Sequence, residues 1–344
     1  MKRVYLVRYG AYGDHVHMSN VIRAFHEEGW EITFEYNWKG LQIHNFNPRV
    51  TWHVPFEPAY KSERDKLILK RRLDEIRGEY DKLVSFTQSL EDAMICHENT
   101  PEYFFPLWMR RKKNAQVCYY DQSMKWAGFT DKKYMGWTGE IYFSRKEHER
   151  IKEILEPYRE NFIVLWAIRG SMYQKAMYPI AQEVCNQFLF DHPNAVIFTT
   201  GDPECKKWEW EHPRVFHKSG VWPYRQALLM ARYADLVVTP ETGLGIGAGA
   251  YGTPKIMLLT AASLKNIVGN DKNDYSLQSD AWCSPCTRAI YDTHSCPLEN
   301  GLPICVNFKK ERVLARMHEV YANRHPRNWG EGKIFETKGE EVWM

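Results

Sequence analysis

The chain opens on a short apolar run, Val4 to Arg8, that stops at Gly10-Ala-Tyr-Gly13-Asp14, after which Met18, Val21, Ile22 and Phe25 recur at helical spacing. That order predicts strand, glycine turn, helix. Residues 31–36, EITFEY, alternate apolar and polar and complete a βαβ unit, because parallel strands need a crossover helix between them. The pattern continues with a helix near 62–77, a strand at 81–86 and a helix near 101–113. A charged helix at 144–158 precedes a new apolar strand at 162–168, which predicts a domain boundary there. The second half repeats the first: a helix over 179–190, a strand at 195–200, a helix at 224–233, a strand at 235–239, a helix of small residues, a strand at 255–260 and an amphipathic helix at 309–324. We therefore expect an α/β protein with Rossmann-like doubly wound domains at 1–155 and 156–325, followed by a tail at 326–344. In such sheets ligands sit at the carboxyl ends of the strands.

Composition adds limits. With 344 residues, 44% hydrophobic and 26% charged, the chain is ordinary for a globular protein and too long for one core. A net charge of +3 gives no field that points to nucleic acid. The basic run at 61–77 is interleaved with acidic residues and reads as a solvated helix face, whereas Arg110-Arg111-Lys112-Lys113 stays a patch that can face an acidic acceptor. Aromatic side chains reach 14%; such rings line sugar and base sites, and they also fill cores. The N-terminal apolar stretch is too short for a secretory segment or a membrane span, and Cys96, Cys118, Cys185 and Cys205 are scattered as reduced thiols usually are. These features predict a cytoplasmic location.

Three segments carry candidate chemistry. In the first, Arg8 to His17, two glycines three apart permit a tight turn into a helix whose free amides attract anions. Asp14 there has two readings, an N-cap or a carboxylate serving as general base. In the second, Glu241-Thr242-Gly243-Leu244-Gly245-Ile246-Gly247-Ala248-Gly249, the helix holds four glycines, each costing about 1 kcal/mol relative to alanine, so a close approach is required. First-turn amides and the Thr242 hydroxyl can hold a diphosphate, and Glu241 can accept from a sugar or ribose hydroxyl; for Gly247 and Gly249 tight helix–sheet packing is an equal explanation. In the third, Arg169, Ser171 and Lys175 follow a strand end and offer cations and a hydroxyl to phosphate, or form an ordinary polar loop.

Taken together, these segments resemble glycosyltransferase family 9, the ADP-heptose:lipopolysaccharide heptosyltransferases, over nearly the whole chain. The family's R-x-G-x-x-G-D signature is matched by Arg8, Gly10, Gly13 and Asp14, and its D-T-G-x-x-H-x-A-A-x-x-x-T-P signature by Glu241-Thr242-Gly243, Ala248, Ala250 and Gly252-Thr253-Pro254. The resemblance implies a GT-B fold, two Rossmann-like domains facing a central cleft. The first domain would bind the acceptor, with Arg8, Gly13, His15 and His17 near it and Asp14 as the catalytic base. The second would bind the nucleotide-sugar through Arg169, Ser171, the phosphate-binding Lys175, Gly201, Asp202, Trp222, Glu241, Thr242, Gly243, Leu244 and Gly245. The implied activity is metal-independent transfer of a sugar from an ADP-heptose-like donor to a saccharide hydroxyl, as in lipopolysaccharide core, with peripheral contact at the inner membrane face. Two departures stand out: the family's Asp is Glu241 here, and its His falls at Ile246. Alternative readings are transfer to hydroxylated bases of DNA, as in some viral enzymes, and a non-catalytic nucleotide-sugar-binding protein.

A loop at 282–306 holds Cys283-Ser-Pro-Cys286, Cys296 and Cys305. The C-x2-C spacing lets two thiolates share one tetrahedral ion, and two further cysteines complete a Cys₄ set, with His294 as a substitute. A structural zinc site and a set of free thiols are both consistent with that spacing.

Overall fold

The computed structural model describes residues 1–57, 63–87, 95–98, 100–175, 178–292 and 294–324. The expected tail at 326–344 and the first two positions of the basic run lie outside them. The described residues divide into two compact units: one falls within Met1–Leu90 and Tyr120–Arg145, the other within Glu91–Tyr119 and 146–324. The second unit thus includes a segment from the half expected to form the first domain.

In the first unit, β1 (Arg3–Arg8), β2 (Glu31–Tyr36), β3 (Trp52–Pro55) and β4 (Lys82–Ser85) form a parallel sheet in the order β3-β2-β1-β4. Helix α1 (Tyr12–Glu27) buries Met18, Val21, Ile22 and Phe25 against Val4, Leu6, Ile32 and Phe34, the face that its apolar spacing requires. Helix α2 (Trp38–His44) follows β2, and α3 (Glu63–Arg77) packs Leu69, Leu73 and Ile76 on Tyr5, Val7 and Tyr9. Each sheet face is therefore covered.

The second unit carries β5 (Phe162–Ala167), β6 (Ala195–Thr200), β7 (Val215–His217), β8 (Leu236–Pro240), β9 (Lys255–Leu259) and β10 (Leu277–Gln278), ordered β10-β9-β8-β5-β6-β7 and parallel throughout. Counted from its own first strand, this is the order 3-2-1-4-5-6 of a complete Rossmann sheet. Strand β5 is buried at all six positions, as a central parallel strand covered on both faces must be. Its core packs Phe162, Val164 and Trp166 with Phe188 and, from the C-terminal amphipathic helix, Val313 and Met317.

The helix expected over 101–113 is interrupted. Pro101–Phe104 forms a short 3-10 turn, and α4 (Leu107–Asn114) starts only after Pro106, whose ring cannot continue a preceding helix. Helix α5 (Tyr119–Trp126) then leads back toward the first unit, and α6 (Arg145–Leu155) opens the rest of the second. Helices α7 (Ala181–Asp191), α8 (Tyr224–Tyr233), α9 (Gly243–Tyr251), α10 (Leu264–Val268) and α11 (Lys310–Ala322) complete it. No helix among the described residues is long and apolar enough to cross a membrane.

Candidate functional site

In a doubly wound sheet the crevice opens where consecutive connections leave in opposite directions, which in the first unit is between β1 and β4. Arg8 ends β1 at that point with its side chain fully enclosed. Its guanidinium donates to the carbonyl of Phe86, just past β4, and stands 3.1 Å from Asp14. The other Asp14 oxygen accepts from the amide of Ala11 at 2.7 Å. A Cβ on Gly10 would lie 2.5 Å from that same oxygen, so Gly10 is needed for the carboxylate to fold back over the turn. Asp14 is not the N-cap, which is Ala11; from the third position of α1 its carboxylate reaches back to the Ala11 amide while its side chain stays 24% accessible. Burial pushes its carboxyl up, but Arg8 and the Ala11 amide outweigh burial and hold it below its ordinary value.

His15 and His17, expected near an acceptor, face the interior. His15 is enclosed among Phe34, Tyr36 and His44, bonds Asn37 at 2.8 Å, and is pushed down by burial to about 4, so it is neutral. His17 packs edge-on against Tyr120, with ring centroids 4.5 Å apart. Gly13 is buried within the first turn of α1.

The second unit's switch point lies between β5 and β8. Past β5, the Gly170 amide donates to the Lys175 carbonyl at 2.7 Å, and a Cβ on Gly170 would approach the Lys175 Cβ to 2.7 Å. This tight loop sets the Lys175 ammonium 3.5 Å from Glu241 at the end of β8. Glu241 does not reach outward. Its Oε1 accepts from the amides of Thr260, Ala261 and Ala262 at 2.6, 2.7 and 3.0 Å, a nest of consecutive N–H groups after β9. Its extra methylene spans that distance. Oε1 is therefore satisfied within the protein, whereas the buried Oε2 has no hydrogen-bond donor among the described residues and faces the Lys175 ammonium.

Thr242 directs its hydroxyl to Thr239 at 2.7 Å, and no side chain caps α9, so the amides of Gly243, Leu244 and Gly245 begin the helix uncapped. Leu244 is 4% exposed and Ile246 is 9% exposed. Gly245 has a packing cause, because a Cβ there would meet Thr239 and Met257 at 2.7 and 2.8 Å. At Gly249 it would meet the buried Lys255–Asp271 ion pair. Arg169 lies over the Trp208 ring and pairs with Glu204 at 3.3 Å, and Ser171 is exposed in the same loop. Gly201 permits contact with Cys205, whose amide is accepted by Asp202, so Asp202 caps the following turn. Trp222 is 8% exposed and stacks on Phe198 with ring planes 19° apart.

The cysteine loop adjoins this site. Gln174 donates to the Arg288 carbonyl at 2.7 Å and accepts from the Ile290 amide, while its own carbonyl accepts from the Thr260 hydroxyl at 2.8 Å. Arg110 donates to the carbonyl of Cys286, and Arg111 to those of Trp282, Ser284 and Pro285. Lys113 pairs with Glu102. The basic patch kept open for an acidic acceptor is thus largely a clamp on backbone carbonyls. Cys305 and Cys296 are raised first by burial and then by the other thiols of the loop. Among the described residues no three His, Cys, Asp or Glu side chains converge into a metal-holding group. Gln174, Asn37, Arg110 and Arg111 were not singled out by spacing or motif; their roles arise from backbone carbonyls and amides brought together by the fold.

No family model and no curated protein matches the chain. Solved structures do. The chain is similar to a glycosyl transferase family 9 protein from Veillonella parvula DSM 2008, with a TM-score of 0.66 and 12% identity over 94% of this chain and 97% of that one. It is similar to E. coli ADP-heptose lps heptosyltransferase II, with a TM-score of 0.61 and 14% identity over 94% and 99% of the two chains. It is also similar to the dodecameric iron-containing heptosyltransferase TibC of enterotoxigenic E. coli, in complex with ADP-D-beta-D-heptose, with a TM-score of 0.56 and 9% identity over 94% and 76%. At such identities the likeness carries architecture, and with the two parallel sheets it establishes that the chain has the GT-B fold, built from two Rossmann-like doubly wound units.

Proposed function

We propose that the chain is a glycosyltransferase that moves a sugar from a nucleoside-diphosphate-sugar, of ADP-heptose type, to a hydroxyl of a saccharide acceptor. The observation that carries this reading is that Lys175, held beside Glu241, and α9, which starts with uncapped amides two residues after Glu241, both belong to the switch point of a complete Rossmann sheet. Solved proteins of the same fold include one in complex with ADP-D-beta-D-heptose, which supports an ADP-sugar.

In this reading Asp14 accepts the proton of the acceptor hydroxyl as its oxygen bonds to the donor's anomeric carbon, and the bond from that carbon to the diphosphate breaks. Arg8 keeps the carboxylate ionised and aimed. Negative charge growing on the leaving diphosphate is met by Lys175, Arg169, the Thr242 hydroxyl and the amides of Gly243 to Gly245, without recourse to a divalent ion. The amide nest matters here: it fixes Glu241 through Oε1, so that the Oε2 oxygen holds Lys175 at the switch point where the phosphates would lie. His15 and His17 hold the turn from inside rather than touch the acceptor, and Asp202 and Trp222 shape the donor side by packing. We place the reaction in the cytoplasm, in keeping with the scattered spacing of Cys96, Cys118, Cys185 and Cys205.

The cysteine loop is read as a structural metal site. Its support is the spacing Cys283-x2-Cys286 with Cys296 and Cys305 following in the same loop, a donor set of the kind that zinc gathers into a tetrahedron. TibC is described as iron-containing. Elemental analysis of purified protein, with Cys283→Ser beside it, tests this: about one metal per chain, lost in the variant, is expected.

The donor assignment is tested by thermal shift with ADP-, UDP-, GDP- and CDP-sugars. An ADP-sugar should raise the midpoint selectively and Lys175→Ala should abolish the shift, since ligands stabilise what they bind. No shift with any nucleotide-sugar would reject the reading.

A further inference from the structure

Around the Asp14 turn, the carboxyl ends of β1, β2 and β3 bring aromatic rings together. Trp38, the first residue of α2 and two positions past the end of β2, is 53% exposed, and Tyr12 at the start of α1 packs edge-on to it with centroids 5.7 Å apart. Phe56, directly after β3, is 36% exposed and lies 6.1 Å from Tyr9. The Trp38 amide donates to Glu57, which ties the two strand ends.

The exposed indole is held in place. Asn37 caps α2 through the Gly40 amide, bonds His15, and donates to the Gly10 carbonyl at 3.0 Å. Gly10 is the residue whose missing Cβ admits the Asp14 carboxylate. One asparagine therefore fixes Trp38 relative to Asp14. Leaving a large ring half in water forgoes burial energy, and a rigid ring beside a reactive carboxylate is the form of a preorganised binding surface.

Charge indicates what that surface takes. Arg8 is matched by Asp14, and Arg72, lying over the Phe56 ring, is matched by the buried Glu35. Lys39 lies over Trp38 itself. The cations here are thus mostly neutralised and offer little to a phosphate chain, while the rings offer flat apolar faces.

We propose that Trp38, flanked by Tyr12 and Phe56, is the acceptor platform, stacking on the C–H face of a pyranose ring in a neutral saccharide and presenting one of its hydroxyls to Asp14. This rests on the glycosyltransferase reading and narrows its acceptor to an uncharged sugar chain. Calorimetric titration of the full chain with maltohexaose, cellohexaose, mannohexaose and a short oligothymidylate tests it. At least one hexaose should bind saturably, with affinity about tenfold lower in Trp38→Ala and within about threefold of the original in Trp38→Phe. Failure of every hexaose to bind, equal binding by Trp38→Ala, or tighter binding of the oligothymidylate through Trp38 would overturn it. Nucleotide-sugar thermal shifts on the same samples separate the two claims. A donor shift without saccharide binding removes the platform and leaves the transferase, whereas saccharide binding without any donor shift removes the transferase.

Discussion

The guanidinium of Arg8 stands 3.1 Å from the carboxylate of Asp14, enclosed on every side, while the carboxylate keeps part of its surface open. This asymmetry makes the pair a charged tool and its holder. Replacing Asp14 by Asn should reduce sugar transfer by about 10²–10⁴-fold, the range for a positioned base, while leaving the donor thermal shift unchanged. The same change strands Arg8 and should cost about 1–3 kcal/mol in urea unfolding. Because the carboxyl is held below its ordinary 3.8, its stabilising contribution is present above that value and is lost as pH falls through the lower folded one. Asp14 therefore stays ionised to below pH 3.8, and a transfer rate whose acid limb lies well above that value and moves in Asp14→Glu would contradict the assignment.

Glu241 is matched in length to its nest. Glu241→Asp, the residue that the resembled signature would place there, withdraws the oxygen from the Thr260, Ala261 and Ala262 amides and leaves buried donors without an acceptor. A loss of about 1–3 kcal/mol is expected in chemical denaturation, with weaker donor binding besides. Unchanged stability would mean that the nest relaxes onto another acceptor.

Two buried histidines set an acid limit. His15 and His148 are pushed by burial from 6.5 down to about 4 in the folded protein. Between these values the unfolded chain binds protons that the folded one refuses, so stability is full above 6.5 and falls as pH drops toward about 4. Each histidine should remove up to about 2 kcal/mol between neutral pH and about pH 5, and His15→Gln should flatten that slope. Urea midpoints at the two pH values decide it.

Arg111→Ala should release the loop whose carbonyls it holds. We expect faster labelling of Cys283 and Cys286 by a thiol reagent, with any affinity for duplex DNA unchanged across salt. A selective loss of DNA binding would instead restore the acidic-acceptor reading of the 110–113 patch.

Much of this architecture was legible in the sequence because buried parallel strands write themselves as apolar runs: the strands expected at 162–168 and 195–200 lie where expected, as does the helix expected at 224–233. Strand β3, WHVP, has neither alternation nor an apolar run, since it is an edge strand with three of its four positions exposed, and it was not anticipated. Asp14, Lys175 and Glu241 were visible as residues but not as partners. Arg8 pairs with Asp14 across a turn and Lys175 meets Glu241 from a different strand end, distances that spacing does not encode. The Glu241 carboxylate looked like a ligand contact because the amides it serves have no sequence signature; any three residues after β9 would present them.

Segment 91–119 belongs to the second unit although the chain returns to the first at Tyr120, so among the described residues the backbone passes between units three times. Neither unit is a contiguous stretch of sequence. A fragment begun at 156 would lack α4, and with it the arginines that hold the cysteine loop beside Gln174. For the same reason a single recombination point between two relatives could not exchange the second unit intact. A viable exchange has to carry two separated pieces of coding sequence, which ties the inheritance of the two units together more firmly than their separate cores would require.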